Sequence, residues 1–351
     1  MPVGQRDPDC SRSTEVKRAR APRAGLPLIV LGLALLAATW GSLMLGRYQI
    51  PLAAWWRVLF APESSGVPGI VLLQVRLPRI LAGILIGAGL STAGAAYQGL
   101  FRNPMVSPDI LGASAGAGFG AAAGILLGFG IFGIQCMSFA FGLAAVLLTC
   151  AGAARLSRSG DPILTLVLVG ILVGSIFTAL ISLTKYVADP YSKLPAITFW
   201  LMGSLAAIHV RDVRFALAPV LLGLAPLVLL RWNLNVLAFG EEEARALGAD
   251  TGKLRWTIIG CATLLTASAV SVAGLVGWVG LVIPHLARMI VGPDYRVLLP
   301  ASLLLGGTYM LLVDDLARSV YATEIPLGIV TSLVGAPFFL YLLARSQRGW
   351  A

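Results

Sequence analysis

GLVGWVGLVIPHLARMIVGPDYRVLLP, residues 274–300, is apolar for most of its length and carries Gly274, Gly277 and Gly280 three residues apart. It then passes through His285 and Arg288 into a short polar turn. This pattern reads as a membrane helix that breaks at Pro284 and meets water at one end. The three glycines leave one helix face nearly bare and predict a neighbouring backbone in close approach.

The rest of the chain agrees that its solvent is a bilayer. Of 351 residues, 58% are hydrophobic and 12% charged, against about a quarter charged in soluble domains. Apolar segments recur near 26–45, 80–101, 110–130, 134–154, 163–183, 213–230, 256–276, 277–291, 297–316 and 325–343. The expected fold is therefore an all-α polytopic membrane protein of about ten transmembrane helices, with no length left for a soluble ATPase domain. Three regions are expected: a basic cytoplasmic tail at 1–25, a ten-helix domain at 26–345 and a cytoplasmic end at 346–351. The run 26–45 is too long for the core of a signal peptide, which favours a first membrane helix. After it comes LAAWWRVLF, whose Trp55 and Trp56 suit a membrane interface.

The net charge of +10 raises the question of nucleic acid. No basic groove with interleaved aromatics is present, so that partner is not expected. Topology accounts for the charge better. With the tail inside, Arg102, Arg155, Arg158, Arg231, Arg245, Lys253, Arg255, Arg288, Arg296, Arg345 and Arg348 also fall inside, as the positive-inside rule asks. Cys10, Cys136, Cys150 and Cys261 lie far apart without C-x-x-C spacing and read as packing residues.

An internal repeat shows at an offset of 180 residues, where Ser91, Ala93, Gly94, Pro104 and Gly112 match Ser271, Ala273, Gly274, Pro284 and Gly292. An odd number of helices between the copies would make it an inverted repeat, as in many transporters. Two phosphate-loop look-alikes fail. GADTGKL at 248–254 has too few residues between its glycines and ends in Leu254 where Ser or Thr is needed. GASAGAGFGAAAG at 112–124 lacks a preceding strand and reads as a tightly packed helix. The two histidines, His209 and His285, are too few for a histidine metal cluster, and no metal site is expected.

Long stretches of the chain resemble the FecCD-type permeases, the membrane subunits of ABC importers for ferric siderophores, haem and cobalamin. They are the opening stretch, GAGLSTAGAAYQGLFRNPMVSPDILG at 87–112, FWLMGSL at 199–205, LAFGEEEARALG at 237–248 and DDLARSVYATEIPLGIVTSLVGAPFFLYLL at 314–343. The resemblance implies a type II importer fold. Within 237–253 it implies a cytoplasmic coupling loop to an ATPase, with Gly240, Glu241, Glu242, Glu243, Ala244, Leu247 and Gly248 in contact. Arg76, Arg79 and Arg318 are implied to dock carboxylates of an extracytoplasmic binding protein. Residue spacing leaves a plainer reading open, in which these are rim side chains and Arg318 pairs with Asp314 one helical turn away. The translocation path and cytoplasmic gate are implied at Gln98, Asn103, Met105, Ile163 and Leu164.

The expected protein is a permease of the bacterial inner membrane with both termini cytoplasmic, paired with a second copy, two ATP-binding subunits and a periplasmic or extracytoplasmic binding protein. ATP and Mg belong to the partner ATPase, no cofactor is expected on this chain, and the chain itself is not expected to be an enzyme. A ferric siderophore is the favoured cargo, with haem, cobalamin and molybdate as alternatives. An ion-coupled secondary transporter is the rival from another class. It needs a titratable group at mid-membrane, and Asp314 and Asp315 are its partial candidates. An intramembrane hydrolase would need a nucleophile and base at workable spacing, which the spans lack.

Overall fold

The structure is a computed structural model, and it describes residues 25–46, 48–50, 58, 66–156, 162–321 and 323–346. The expectations for the basic tail, for Trp55 and Trp56, and for nearly all of the C-terminal end fall outside the described residues. Among the described residues all regular structure is helical: α1 Gly25–Met44, α2 Gly66–Leu100, α3 Ala113–Leu126, α4 Ile131–Leu156, α5 Pro162–Val187, α6 Lys193–Met202 and α7 Val210–Leu229, then α8 Arg231–Ala238, α9 Glu241–Ala246, α10 Thr251–Ala273, α11 Val279–Val291, α12 Tyr295–Ser319 and α13 Leu327–Ser346. A π-helical stretch, Val71–Arg76, lies within α2, and a 3-10 turn, Pro108–Leu111, precedes α3.

Seven helices are long and apolar enough to cross a membrane, and three more apolar helices, α3, α11 and α13, are shorter by that measure. The ten apolar segments read from the sequence thus all become helices. Their burial orders them. In α10, 78% of the apolar window is buried, against 22% in α5 and 11% in α1. The most buried helix, α10, packs on α2, α4 and α7, while α12 packs on the other side of the core against α2, and α1 and α5 lie on the rim.

The opening stretch folds differently from its expected single helix. Gly274 caps α10 in a left-handed conformation (φ 72°), and Gly277 lies in the coil before α11, so only Gly280 is on a helix. Nor does Pro284 break the helix, since it sits inside α11. Proline has no N–H to give the Gly280 carbonyl one turn earlier. That carbonyl instead packs on Gly94 of α2, where a Cβ would stand 1.8 Å from it. A backbone contact this close favours weak Cα–H···O interactions and excludes any side chain.

The repeat is real in the order of elements but not at the register first read. The series α1, α2, α3, α4, α5 recurs as α7, α10, α11, α12, α13. Three of the five pairs match in length: 20 and 20 residues for α1 and α7, 14 and 13 for α3 and α11, 26 and 25 for α4 and α12. Both short helices start from a left-handed N-cap, Gly112 (φ 85°) and Trp278 (φ 69°). Each cap packs on a glycine-bearing face, Gly112 on Gly170 and Gly174 of α5, Trp278 on Gly335 of α13. The cross-packing is also reciprocal, with α2 against α11 and α12, and α10 against α3 and α4. The offset of 180 pairs Gly94 in mid-helix with Gly274 beyond a helix end. One offset cannot hold because the α2–α3 connection is much longer than the α10–α11 connection.

Candidate functional site

At the end of the molecule where α8 and α9 lie, the chain between α7 and α10 forms a short two-helix projection. Gly240 (φ 131°) and Gly248 (φ 82°) bracket α9 in conformations that favour glycine. Glu241 pairs with Arg245 at 3.4 Å and with Arg255 of α10. The Ala244 side chain is fully buried in this chain's own core, so it anchors α9 and does not present a bare face to a partner. The outward surface is instead made by Phe239 (73% exposed), Leu247 (69% exposed), Glu242, Glu243 and Ala246. Phe239 went unread in the sequence because it is one apolar residue in an apolar chain.

A second connection ties α8 to the start of α12. Asn235 donates to Asp294 at 2.6 Å and accepts from the Tyr295 N–H at 2.8 Å, while Asp294 caps α12 by accepting from the Arg296 N–H at 2.9 Å. The Arg296 guanidinium lies 4.0 Å over the Trp232 ring. Burial raises the pKa of Asp294, but the hydrogen bonds from Arg296 and Asn235 outweigh it and hold the carboxyl below the usual carboxylate range. Arg102, left-handed at φ 47°, brings the end of α2 beside Gly240. The projection is therefore attached to three core helices, α2, α10 and α12.

The opposite end carries Arg76, Arg79 and Arg318, all tied within the chain. Arg79 makes two bidentate pairs. One is to Asp314 (2.8 to 3.1 Å) and the other to Glu324 (2.9 Å at both oxygens). Arg76 donates to the Leu43 carbonyl at 2.5 Å and to the Tyr48 carbonyl. Arg318 donates to Asp315 and to the Leu45 and Ser42 carbonyls, and Ser42 donates to Asp315 at 2.6 Å. The pair read from the sequence, Arg318 with Asp314, is present at 3.9 Å, and Asp315 is a second, nearer partner. The side chains of Arg79 and Asp314 are only 9% and 4% exposed. The network thus joins α1, α2, α12 and the loop before α13, and both acids expected of an ion-coupled site are already neutralised.

The expected gate residues do not form one cluster. Gln98 is buried, donating to the Leu281 carbonyl at 3.2 Å and accepting from Arg288 at 3.2 Å. Asn103 and Met105 are exposed in the α2–α3 connection, where the Asn103 side chain accepts from the Met105 N–H at 2.8 Å. On α5, Ile163 packs partly against the core and Leu164 is 56% exposed. The resemblance puts the fifth helix, α5, on the transport path, and its sequence offers no convergent ligands for a bare ion. The structure adds a groove of about 390 Å³ where the 3-10 turn lies against α5, lined by Asp109, Gly170, Gly174, Ser175 and Thr178 among others. Asp109 could not be placed from sequence because nothing local says that the α2–α3 connection folds back onto α5. No group of three or more His, Cys, Asp or Glu able to hold a metal ion occurs among the described residues.

Comparison with known proteins gives these surfaces a context. The FecCD transport family matches residues 34–345. The molybdate import system permease protein MolB of Haemophilus influenzae is 41% identical over 329 residues, covering 92% of this chain and 97% of its own. The cobalamin import system permease protein BtuC of Halobacterium salinarum is 42% identical over 287 residues, covering 81% of this chain and 76% of its own. A metal-chelate type ABC transporter solved in an inward-facing conformation superposes with a TM-score of 0.82 at 41% identity, covering 91% of this chain and 98% of that one.

Proposed function

The chain belongs to the FecCD transport family and is a permease of an ABC importer, and from that premise we propose that it carries an iron chelate, a ferric siderophore first, across a bacterial inner membrane by alternating access. The observation that carries the coupling part is the α8–α9 projection. It exposes Phe239 and Leu247 to a partner while Asn235, Arg102 and Glu241 attach it to α12, α2 and α10. A subunit that grips this projection moves the core helices with it. In this reading the projection is cytoplasmic and contacts an ATPase through Gly240, Glu241, Glu242, Glu243, Leu247 and Gly248, with Ala244 as its inner anchor. ATP and Mg act in two such partner subunits. The assembly includes a second copy of the permease and a binding protein delivered to the opposite end.

Arg76, Arg79 and Arg318 remain the proposed docking residues, with a condition set by their present bonds. Each guanidinium is engaged within the chain, so a partner's carboxylate reaches Arg79 only by displacing Glu324, which at 29% is the more exposed of its two acids. Docking charges of this kind set orientation and on-rate more than affinity. Gln98, Asn103, Met105, Ile163 and Leu164 are proposed to line and close the cytoplasmic side of the path.

Molybdate is a second cargo reading, favoured by the 41% identity to a molybdate permease over nearly the full chain. The deciding experiment is uptake of labelled ferric siderophore, haem, cobalamin and molybdate in a strain lacking this gene, complemented with the wild-type chain. Restored uptake of a ferric siderophore alone supports the proposal. Restored molybdate uptake replaces it, and ATP-independent uptake of any of them removes the importer mechanism.

A further inference from the structure

The groove between the α2–α3 connection and α5 sits at an unexpected depth. At about 1.5 Å per residue, Gly170 is roughly 12 Å and Thr178 roughly 24 Å along α5 from Pro162, in a helix about 39 Å long. Asp109, next to the Ile110 that packs on Gly170, therefore lies about a third of the way along a membrane-spanning helix. It gets there because Gly170 lets the Ile110 carbonyl come within 2.4 Å of where a Cβ would stand. The Asp109 side chain is exposed in this chain, and its hydrogen-bond partner is the Ser114 hydroxyl. An exposed carboxylate at that depth is costly against acyl chains. Its surroundings must be water or protein, and Ile171, Ser175 and Thr178 beside it on α5 are exposed in this chain.

The hydrogen-bonding character of the groove is one-sided. Ser175 donates its hydroxyl to the Ile171 carbonyl at 2.9 Å, and Thr178 donates to the Gly174 carbonyl at 2.8 Å. Each hydroxyl has spent its only proton and turns lone pairs outward. With the Asp109 carboxylate they form a wall of acceptors, and among the described residues no Lys or Arg lines the groove. Such a wall attracts cations and N–H or O–H donors and repels an oxyanion.

We propose that Asp109, with Ser175 and Thr178, is a water-facing selectivity site on the translocation path, passing electroneutral or cationic metal chelates that carry N–H or O–H donors and disfavouring oxyanions. The proposal rests on the permease reading above; its labelling test does not depend on which chelate is carried, and restored molybdate uptake would overturn the selectivity it assigns. Single cysteines are placed at Thr178 or Ser175 in a chain whose four native cysteines are replaced, expressed with its ATPase partner in membrane vesicles. Labelling rates are then compared for a cationic and an anionic methanethiosulfonate reagent. Leu247→Cys, labelled in vesicles stripped of the ATPase that the proposed function places over it, serves as an exposed control and Leu222→Cys as a control on the outer face of α7.

Thr178→Cys and Ser175→Cys should label, the cationic reagent reacting several-fold faster, and adding Asp109→Asn should bring the two rates together. At Leu247→Cys the ratio should ignore Asp109→Asn, which shows that the chain is folded and inserted. Failure of both groove positions to label while Leu247→Cys does, or a rate ratio indifferent to Asp109→Asn, overturns the site. Failure of all four uptake probes with the labelling pattern intact would instead count against the cargo reading and leave the site standing.

Discussion

Arg79 shows why one side chain can be structural and functional together. Removing it would leave Asp314 and Glu324 facing each other without their shared counter-charge, and breaking a buried pair this way costs about 3–5 kcal/mol. Arg79→Ala should therefore lower the melting temperature of the detergent-solubilised complex sharply, as read by fluorescence-detected size exclusion. Arg79→Lys keeps the charge but not the two forks, and should lose roughly half as much. Glu324→Gln leaves the Asp314 pair in place; little loss of stability with faster binding-protein association would support displacement of Glu324 during docking. Slower association would reject it. The arginines themselves were legible in the sequence as a set. Their partners were not, because Asp314 and Glu324 are more than 230 residues away in the chain, and only the meeting of α2 with α12 brings them together.

Among the elements, α8 and α12 are joined by a clamp that the sequence did not disclose. Asn235 and Asp294 are short polar residues at helix ends, unremarkable alone, and the clamp exists only because α8 lies across the start of α12. Asn235→Ala should leave ATP hydrolysis by the reconstituted complex intact and reduce uptake, whereas a loss of both would mean that α8 serves assembly and not transmission. Because the folded pKa of Asp294 is depressed, its stabilisation is fully present above the unfolded carboxylate pKa and disappears as the pH falls through the lower folded value. Near neutrality the clamp holds. At the α2–α11 crossing, Gly94→Ala puts a methyl onto the Gly280 carbonyl and should cost about 1–3 kcal/mol through overpacking, seen as reduced recovery of monodisperse protein. Helix positions were readable because lipid demands apolar runs of a certain length. The left-handed starts of α3 and α11, and the coil that replaced the expected glycine face, depend on tertiary contacts that a local pattern does not contain.

Among the described residues ten of the thirteen helices form two copies of a five-helix series, and that arithmetic sets the expected topology. If every apolar helix crosses the bilayer, five crossings separate equivalent points of the two copies, so the second copy must be inverted relative to the first. The reciprocal packing of α2 on α11 and α12 with α10 on α3 and α4 follows from such a relation. Short α3 and α11 then supply only part of their crossings as helix, starting from left-handed caps, Gly112 and Trp278, on opposite sides. The same count puts Tyr191, 93% exposed before α6, and Leu247, 69% exposed after α9, on opposite faces of the membrane. In a chain without native cysteines, a membrane-impermeant thiol reagent should label Tyr191→Cys in intact spheroplasts and Leu247→Cys only in inverted vesicles. Labelling of both from one side would require an even number of crossings between them. α7 would then be the element in doubt, because it alone joins these positions through the bilayer, with Pro219 and Pro226 inside it. A failure there would remove the inverted repeat and the cytoplasmic placement of the α8–α9 projection together, since both rest on that single crossing.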